Sequence, residues 1–192
     1  MRALVAIAAL VLLLAASACG SASNDRPSAL VIGDSLTVGV EPDLPALLRG
    51  WKLRVDGRIG RPTSDAARIV AHAVLPDRVA FLLGTNDTPD GDALLHELHA
   101  LLRRLPPNGC LVTATITRPA TGGIGYGVAN TKLRALARED TRVRLIDWAR
   151  MTEAHPQWLA ADPEHVHPSA AGYEARARAL ANALRSCSAE TS

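Results

Sequence analysis

The stretch that decides the fold lies at residues 29–36, Ala29-Leu30-Val31-Ile32-Gly33-Asp34-Ser35-Leu36. Its first four residues are apolar, which predicts a short buried β-strand. The glycine, acid and serine that follow predict a turn at the carboxyl end of that strand. Similar short apolar runs occur at residues 53–55, 79–83, 111–115 and 143–146. The sequence therefore predicts five short buried strands.

Apolar residues at helical spacing separate several of these runs. The clearest series runs from Leu94 to Leu105, where steps of three and four residues return to one face of a helix. Weaker patterns predict helices around residues 66–74, 133–137 and 173–184, the last with Ser169 as its N-cap. Strands that alternate with helices predict an α/β protein with a parallel sheet covered on both faces. We therefore expect a three-layer α/β/α sandwich that binds its ligands beyond the carboxyl ends of the strands.

Residues 1–18 have the features of a secretory signal peptide. Met1-Arg2 supplies a positive charge, residues 3–16 are almost entirely apolar, and residues 16–18 are small. The apolar run is shorter than the roughly 20 residues that a membrane-spanning helix needs. We therefore expect the protein to be exported.

The end of this segment, residues 14–19, resembles the processing site of bacterial lipoproteins, in which the cysteine is lipidated after cleavage. Ala16 departs from that pattern, because leucine is usual at this position. The resemblance implies a lipid anchor on Cys19 that holds the protein at the outer face of the cell membrane. Residues 19–27 would then form a tether, residues 28–188 the folded domain and residues 189–192 a tail. The alternative is a nearby cleavage without lipidation, which would give a secreted protein.

Length and charge narrow the classes of function. A chain of 192 residues forms one domain with a sizeable core, which we expect to be monomeric. The formal net charge of +2 gives no basis for nucleic-acid binding or for polybasic attachment to a membrane. Cys110 and Cys187 could pair in an oxidising compartment, but their spacing does not show whether they lie close together. Their pairing stays open.

Chemically useful side chains occur at three places on the predicted rim of the sheet. Residues 33–36 follow the first strand, residues 84–87 (Gly84-Thr85-Asn86-Asp87) follow the third, and residues 165–168 (His165-Val166-His167-Pro168) precede the last helix. A serine hydroxyl becomes a nucleophile only with a base in hydrogen-bonding reach, and the intermediate it forms needs donors directed at its oxyanion. Serine, histidine and asparagine are all available at this rim.

These blocks, together with Gly60 and Ser169, resemble in their order the motifs of the SGNH (GDSL-like) hydrolase superfamily, over nearly the whole mature chain. The resemblance implies a flavodoxin-like fold in which Ser35 is the nucleophile and His167 the general base. It also implies an oxyanion hole formed by the N–H of Ser35, the N–H of Gly60 and the amide of Asn86. Gly57 is a rival of Gly60, which we prefer because residues 61–63 then begin a helix, as in the family.

The acidic member of the triad departs from the family pattern. The family usually has aspartate three residues before the histidine, where this sequence has Glu164, while Asp162 lies five residues before it. Glutamate can orient an imidazole in place of aspartate. We therefore prefer Glu164, keep Asp162 as the alternative acid, and leave open that a backbone carbonyl orients the ring instead.

Two other motifs indicate less. Residues 96–99, His96-Glu97-Leu98-His99, lack the histidine spacing of a zinc helix, and we interpret them as a solvated helix face. Residues 122–127 are rich in glycine but lack the spacing of a dinucleotide-binding turn, so we expect a loop near the active rim. No metal site is therefore expected.

Taken with the resemblance, the residues predict an extracytoplasmic serine esterase that hydrolyses carboxylic acyl esters through an acyl-serine intermediate. The resemblance implies catalysis without a metal or an organic cofactor, on the acyl ester of a small molecule or a glycan. Two alternatives remain. One is a catalytically weak binding lipoprotein of the cell envelope, and the other is an acyltransferase that uses a glycan as acceptor.

Overall fold

The structure is a computed structural model that describes residues 26–162 and 165–187. In these residues five strands form one parallel sheet in the order β2-β1-β3-β4-β5. This is the order of flavodoxin-like folds. The predicted strands are all confirmed, and their bounds are Ser28–Gly33 (β1), Lys52–Gly57 (β2), Arg78–Leu82 (β3), Cys110–Ala114 (β4) and Val143–Ile146 (β5).

The four predicted helices are present and correspond to α3, α4, α5 and α7 below. Ser169 caps the last one, because its side chain accepts a hydrogen bond from the N–H of Gly172 at 3.3 Å. The apolar spacing did not predict the shorter helices, because a few residues carry too little periodicity. The helices are Ser35–Val40 (α1), Leu44–Leu47 (α2), Thr63–Ala71 (α3), Asp92–Arg104 (α4), Gly127–Glu139 (α5), Trp148–Ala154 (α6) and Ala170–Ser186 (α7), with 3₁₀ turns at Glu41–Asp43 and Pro156–Trp158.

The two faces of the sheet bury separate apolar clusters. Along β1, Leu30 and Ile32 point to the side covered by α3, α4 and α5, while Ala29 and Val31 point to the side covered by α1, α2, α6 and α7. This alternation follows from the two-residue period of a strand. The three-layer sandwich predicted from the sequence is therefore confirmed. Among the described residues, no helix has both the length and the apolar character needed to cross a bilayer.

The strand order also fixes where a site can lie. The chain passes from β1 to β2 on one side of it and returns to pair β3 on the other side. In such sheets a crevice opens beyond the carboxyl ends of the strands where the order reverses. Residues 33–36 follow β1, and residues 84–87 lie just beyond the end of β3. Both blocks therefore lie at this crevice.

A disulfide joins Cys110, the first residue of β4, to Cys187, which follows α7. Their Cα atoms lie 5.6 Å apart, although 77 positions separate them in sequence. Their spacing in the sequence left open whether these cysteines pair. The packing of α7 against the sheet brings them together. A cross-link over so long a loop stabilises the fold chiefly by restricting the unfolded chain.

We predict that replacing both cysteines, Cys110→Ala with Cys187→Ala, lowers the free energy of unfolding by about 2–4 kcal/mol, because the unfolded chain regains its freedom. Denaturant unfolding of the oxidised protein and the double variant measures the difference. In excess dithiothreitol the two proteins should unfold at more similar denaturant concentrations. An oxidised protein no more stable than its reduced form would contradict the prediction.

Candidate active site

Ser35 is the first residue of α1, directly beyond the end of β1. The side chain of Asp34 caps this helix by accepting a hydrogen bond from the N–H of Leu36 at 3.0 Å. The preceding turn is crowded, since a Cβ added at Gly33 would lie 2.7 Å from the carbonyl oxygen of Leu82. The absence of a side chain at Gly33 thus allows the tight turn from strand to helix, which leaves Ser35 half-buried at the rim.

His167 lies beside Ser35, with the serine Oγ 3.2 Å from the imidazole Nε2, although 132 positions separate the two residues in sequence. The segment before α7 holds the histidine in place. The carbonyl of His167 accepts a hydrogen bond from the N–H of Ala160 at 2.8 Å, and Pro168 forms an isolated antiparallel bridge with Leu159. A hydroxyl and an imidazole at this distance can exchange a proton.

The other ring nitrogen of His167, Nδ1, lies 3.0 Å from Oδ2 of Asp162. Glu164, preferred in the sequence analysis, lies outside the described residues. The contact expected of it is made here by the alternative acid, Asp162. The N–H of His165 donates to the Asp162 carbonyl at 3.2 Å, and His165 has a left-handed φ of 47°. These two features accompany the contact of the Asp162 carboxylate with the His167 ring.

Hydrogen bonds favour the charged form of Asp162. Desolvation is the largest influence on its pKa and acts to raise it. Hydrogen bonds from the His167 ring and from the N–H groups of His165, Val166 and His167 outweigh it and hold the pKa below the ordinary value. A carboxylate that stays ionised beside Nδ1 stabilises the imidazolium that forms when Nε2 takes up a proton.

The loop after β2 brings Gly60 next to Asn86. Gly60 has a φ of +70°, a left-handed conformation that favours glycine. Asn86 donates through Nδ2 to the carbonyl of Arg61 at 3.2 Å, which joins the turn after β3 to the residue beside Gly60. Gly57 lies instead in β2, where an added Cβ would be 2.9 Å from the backbone nitrogen of Val38. The close approach explains glycine at position 57, while Gly60 is the glycine of the loop.

Arg61 organises this loop, a role that the sequence analysis missed. Its guanidinium is buried and donates through Nη1 to the carbonyls of Gly33, at 3.3 Å, and Asp56, at 2.6 Å, while Nη2 pairs with Asp56 Oδ1 at 2.6 Å. It therefore ties the Gly60 loop to the end of β1, next to Ser35. Nothing in the sequence distinguishes Arg61 from the many exposed arginines, because its burial depends on the packing of three segments.

A second unanticipated feature is a pair of buried charges behind the serine. Burial raises the pKa of the Asp34 carboxyl, and this is opposed by the Leu36 N–H, the charge of Arg176 and the Thr85 side chain. Burial lowers the pKa of Arg176 to about 10, opposed by Asp34 and Tyr173. The Arg176 guanidinium also lies 5.0 Å from the ring centre of Trp148. Opposite charges buried together thus lie beneath the turn that carries Ser35.

His96 and His99 lie on α4, exposed to solvent and away from this rim. Within residues 26–162 and 165–187 no group of three or more His, Cys, Asp or Glu side chains could hold a metal ion. The glycine-rich residues 122–127 form a turn closed by a bridge between Thr121 and Ile124, followed by the start of α5. The site is thus built from Ser35, His167, Asp162 and the loops of Gly60 and Asn86.

A serine at the end of β1 with a histidine against it, on a flavodoxin-like sheet, defines the class of fold and site. The sequence model of the GDSL-like Lipase/Acylhydrolase family matches residues 31–175. The chain belongs to this family.

Curated relatives include the O-acetyltransferase OatA of Staphylococcus aureus strain NCTC 8325, which is 27% identical over 146 residues. That match covers 73% of this chain but only 23% of the relative. The chain therefore spans about a quarter of the length of the curated relatives it matches.

Solved structures show the same fold. The C-terminal catalytic domain of the peptidoglycan O-acetyltransferase A of Streptococcus pneumoniae superposes with a TM-score of 0.64 at 20% identity, covering 84% of this chain and 92% of that one. A lipase/acylhydrolase of Enterococcus faecalis gives a TM-score of 0.60 at 19% identity, covering 83% and 96%. The esterase EstA of a Pseudoalteromonas species gives 0.61 at 13%, covering 84% and 98%.

We predict that Asp162→Asn slows the reaction of Ser35 with a fluorophosphonate ester by up to about 10⁴-fold, because an amide cannot stabilise the imidazolium. Glu164→Gln, the matched control, should stay near the wild-type rate. Quenched time points of the labelling reaction give the rate for each variant, and circular dichroism verifies that both variants fold. The reverse order of rates would return the role to Glu164.

Proposed function

We propose that this chain is an extracytoplasmic serine esterase that hydrolyses carboxylic acyl esters through an acyl-Ser35 intermediate. The observation that carries the proposal is the continuous series of contacts from Ser35 Oγ to His167 Nε2 and from His167 Nδ1 to Asp162 Oδ2. A nucleophile, its base and an orienting acid in this arrangement activate a hydroxyl that is otherwise unreactive at neutral pH.

The first half of the reaction forms the acyl-enzyme. Ser35 Oγ attacks the carbonyl carbon of the ester while its proton moves to Nε2 of His167, and the carbonyl oxygen takes up the negative charge. When the intermediate collapses, the bond to the alcohol oxygen breaks and that oxygen takes the proton from His167. The alcohol leaves, and the acyl group remains as an ester of Ser35.

The second half repeats these steps with water. His167 removes a proton from water as the water oxygen attacks the acyl carbon, and then returns the proton to Ser35 Oγ as the carboxylic acid leaves. In both halves the oxyanion would accept hydrogen bonds from the N–H groups of Ser35 and Gly60 and from the Asn86 amide. Removing one such donor typically costs about 2.7–4 kcal/mol of transition-state stabilisation. Every step uses groups of this chain and the two reactants.

The proposed location outside the cytoplasm rests on two observations. Residues 1–18 have the pattern of a signal peptide, and Cys110 and Cys187 form a disulfide, a bond that persists in oxidising compartments. The names of the relatives agree, since one is a peptidoglycan O-acetyltransferase. A lipid on Cys19 would hold the monomer at the membrane surface through the tether of residues 19–27; Cys19 lies outside the described residues.

Transfer of the acyl group to a sugar hydroxyl is the second candidate. It differs only in the second half of the reaction, where the hydroxyl oxygen replaces water, and the names of the O-acetyltransferase relatives favour it. The remaining alternative is a catalytically weak binding lipoprotein of the cell envelope, which the displaced acid of the triad and the small size of the chain favoured. The contact between Asp162 and His167 weakens the first of these two reasons.

We predict that a fluorophosphonate labels the wild-type protein at one site and that Ser35→Ala abolishes the labelling, because the hydroxyl that attacks phosphorus is gone. Hydrolysis of a short-chain nitrophenyl ester should fall by several orders of magnitude in the same variant and in His167→Ala. Intact mass spectrometry and absorbance assays measure the two effects. Labelling of Ser35→Ala at the wild-type rate would remove the proposal.

Product analysis separates hydrolysis from transfer. For an esterase we expect one equivalent of free acid per ester consumed, whether or not a sugar acceptor is present, because water reaches the acyl-serine. Chromatography of the products with and without methyl α-D-glucopyranoside measures this ratio. An acylated glucoside that forms at the expense of free acid would establish the second candidate, and the acyl-Ser35 intermediate would remain common to both.

A further inference from the structure

A cavity of about 450 Å³ opens at the carboxyl ends of β4 and β5, apart from the groups assigned to catalysis. Its walls come from the segment after β4, the start of α5, α6 and the residues that follow α6. Among the lining residues are Thr117, Arg118, Gly127, Glu153 and Leu159. The mechanism uses none of them.

Two contacts place this cavity beside the reacting groups. Arg118 donates through Nη1 to the carbonyl of Thr85, the residue before Asn86. On the opposite side Leu159 pairs with Pro168, the residue after His167. One wall of the cavity is therefore attached to the turn of the proposed oxyanion donor, and the other to the segment of the base. The cavity and Ser35 therefore lie along the same edge of the sheet.

The residues that line the cavity indicate whether it accepts the acyl half or the alcohol half of the ester. Arg118 provides cationic donors, and Glu153 on α6 is an exposed carboxylate that only accepts. The hydroxyls of Thr117 and Thr152 lie 2.9 Å apart, between apolar groups such as Ile116 and Leu159. The two threonine hydroxyls bond each other, but an alkyl chain would displace water from the Glu153 carboxylate and from the remaining N–H groups of Arg118 without replacing its hydrogen bonds, and an anionic group would face the charge of Glu153. A neutral group rich in hydroxyls fits, because each hydroxyl both donates and accepts.

We propose that this cavity binds the alcohol half of the substrate and that this half is a sugar ring, held between Arg118 and Glu153. The inference rests on the proposed function, since it assigns a substrate class to the same site. Thr117 and Glu153 are specificity-determining residues in this assignment. Arg118 has an additional positioning role, because it also holds the turn that carries Asn86.

Two glycines offer a matched pair of variants. Gly127 lines the cavity and Gly125 does not. An added Cβ would meet no atom within 4 Å at either position, and neither glycine has a positive φ. Gly127→Leu therefore narrows the cavity from a position where a Cβ has room, while Gly125→Leu adds the same side chain two residues away. Glu153→Ala and Glu153→Gln form a second pair, because glutamine retains an oxygen that accepts hydrogen bonds.

The test compares two acetate esters, methyl 6-O-acetyl-α-D-glucopyranoside and ethyl acetate. We expect the ratio of kcat/KM for the sugar ester to that for ethyl acetate to fall about tenfold or more in Gly127→Leu and in Glu153→Ala, mainly through KM. Glu153→Gln should recover part of the ratio, and Gly125→Leu should keep the wild-type ratio. Equal ratios in Gly127→Leu and Gly125→Leu would overturn the sugar subsite and leave the esterase standing.

Binding of the alcohol alone separates the subsite from catalysis. Methyl α-D-glucopyranoside should give saturation-transfer NMR signals with the wild-type protein that Gly127→Leu removes and Gly125→Leu retains. A protein that cleaves neither ester but shows this pattern would refute the esterase and keep the subsite. If Gly127→Leu instead impairs the cleavage of octanoate esters and leaves glucoside binding intact, the cavity holds the acyl chain and the inference is wrong.

Discussion

Strand β1 pairs in parallel with β2 on one side and with β3 on the other. The site depends on this constraint. Because parallel strands end at the same edge, the turns after all three strands meet there. These turns carry Ser35, Gly60 and Asn86. The hydrogen bond from Asn86 to Arg61 and the bond from Arg61 to Gly33 then join the three turns to each other. The placement of the proposed nucleophile beside its proposed oxyanion donors thus follows from the order of strands in one sheet.

The proposed base, His167, reaches the same edge by a different route. His167 lies just before α7, which packs on the face of the sheet that also bears α1. This segment is fixed at three points: the cap by Ser169, the bridge between Leu159 and Pro168, and the disulfide after α7. The 3.2 Å contact with Ser35 therefore depends on how a helix far along the chain docks on the sheet.

Charged groups are buried beneath the site, and the burial of a charge has an energetic cost. Asp34 and Arg176 are both buried, and each charge opposes the pKa shift that burial causes in the other. Arg61 is likewise buried, with backbone carbonyls and a carboxylate as its partners. Buried charges are tolerated when they are paired and hydrogen-bonded, as Arg61 is.

The sequence by itself determined the five strands and the longer helices. It also placed Ser35, Asn86 and His167 at the rim of the sheet. These depend on local periodicity and on motifs next to strand ends, which a linear chain displays directly. Only the tertiary structure decided which carboxylate contacts His167, which glycine belongs to the loop beside Asn86, whether Cys110 reaches Cys187, and that Arg61 and Arg176 are buried. Each of these depends on how distant segments pack or on one local turn, such as the left-handed backbone of His165 that accompanies the contact of Asp162 with the ring. Spacing along a chain does not specify distances across a folded one, because the same spacing is compatible with many turns.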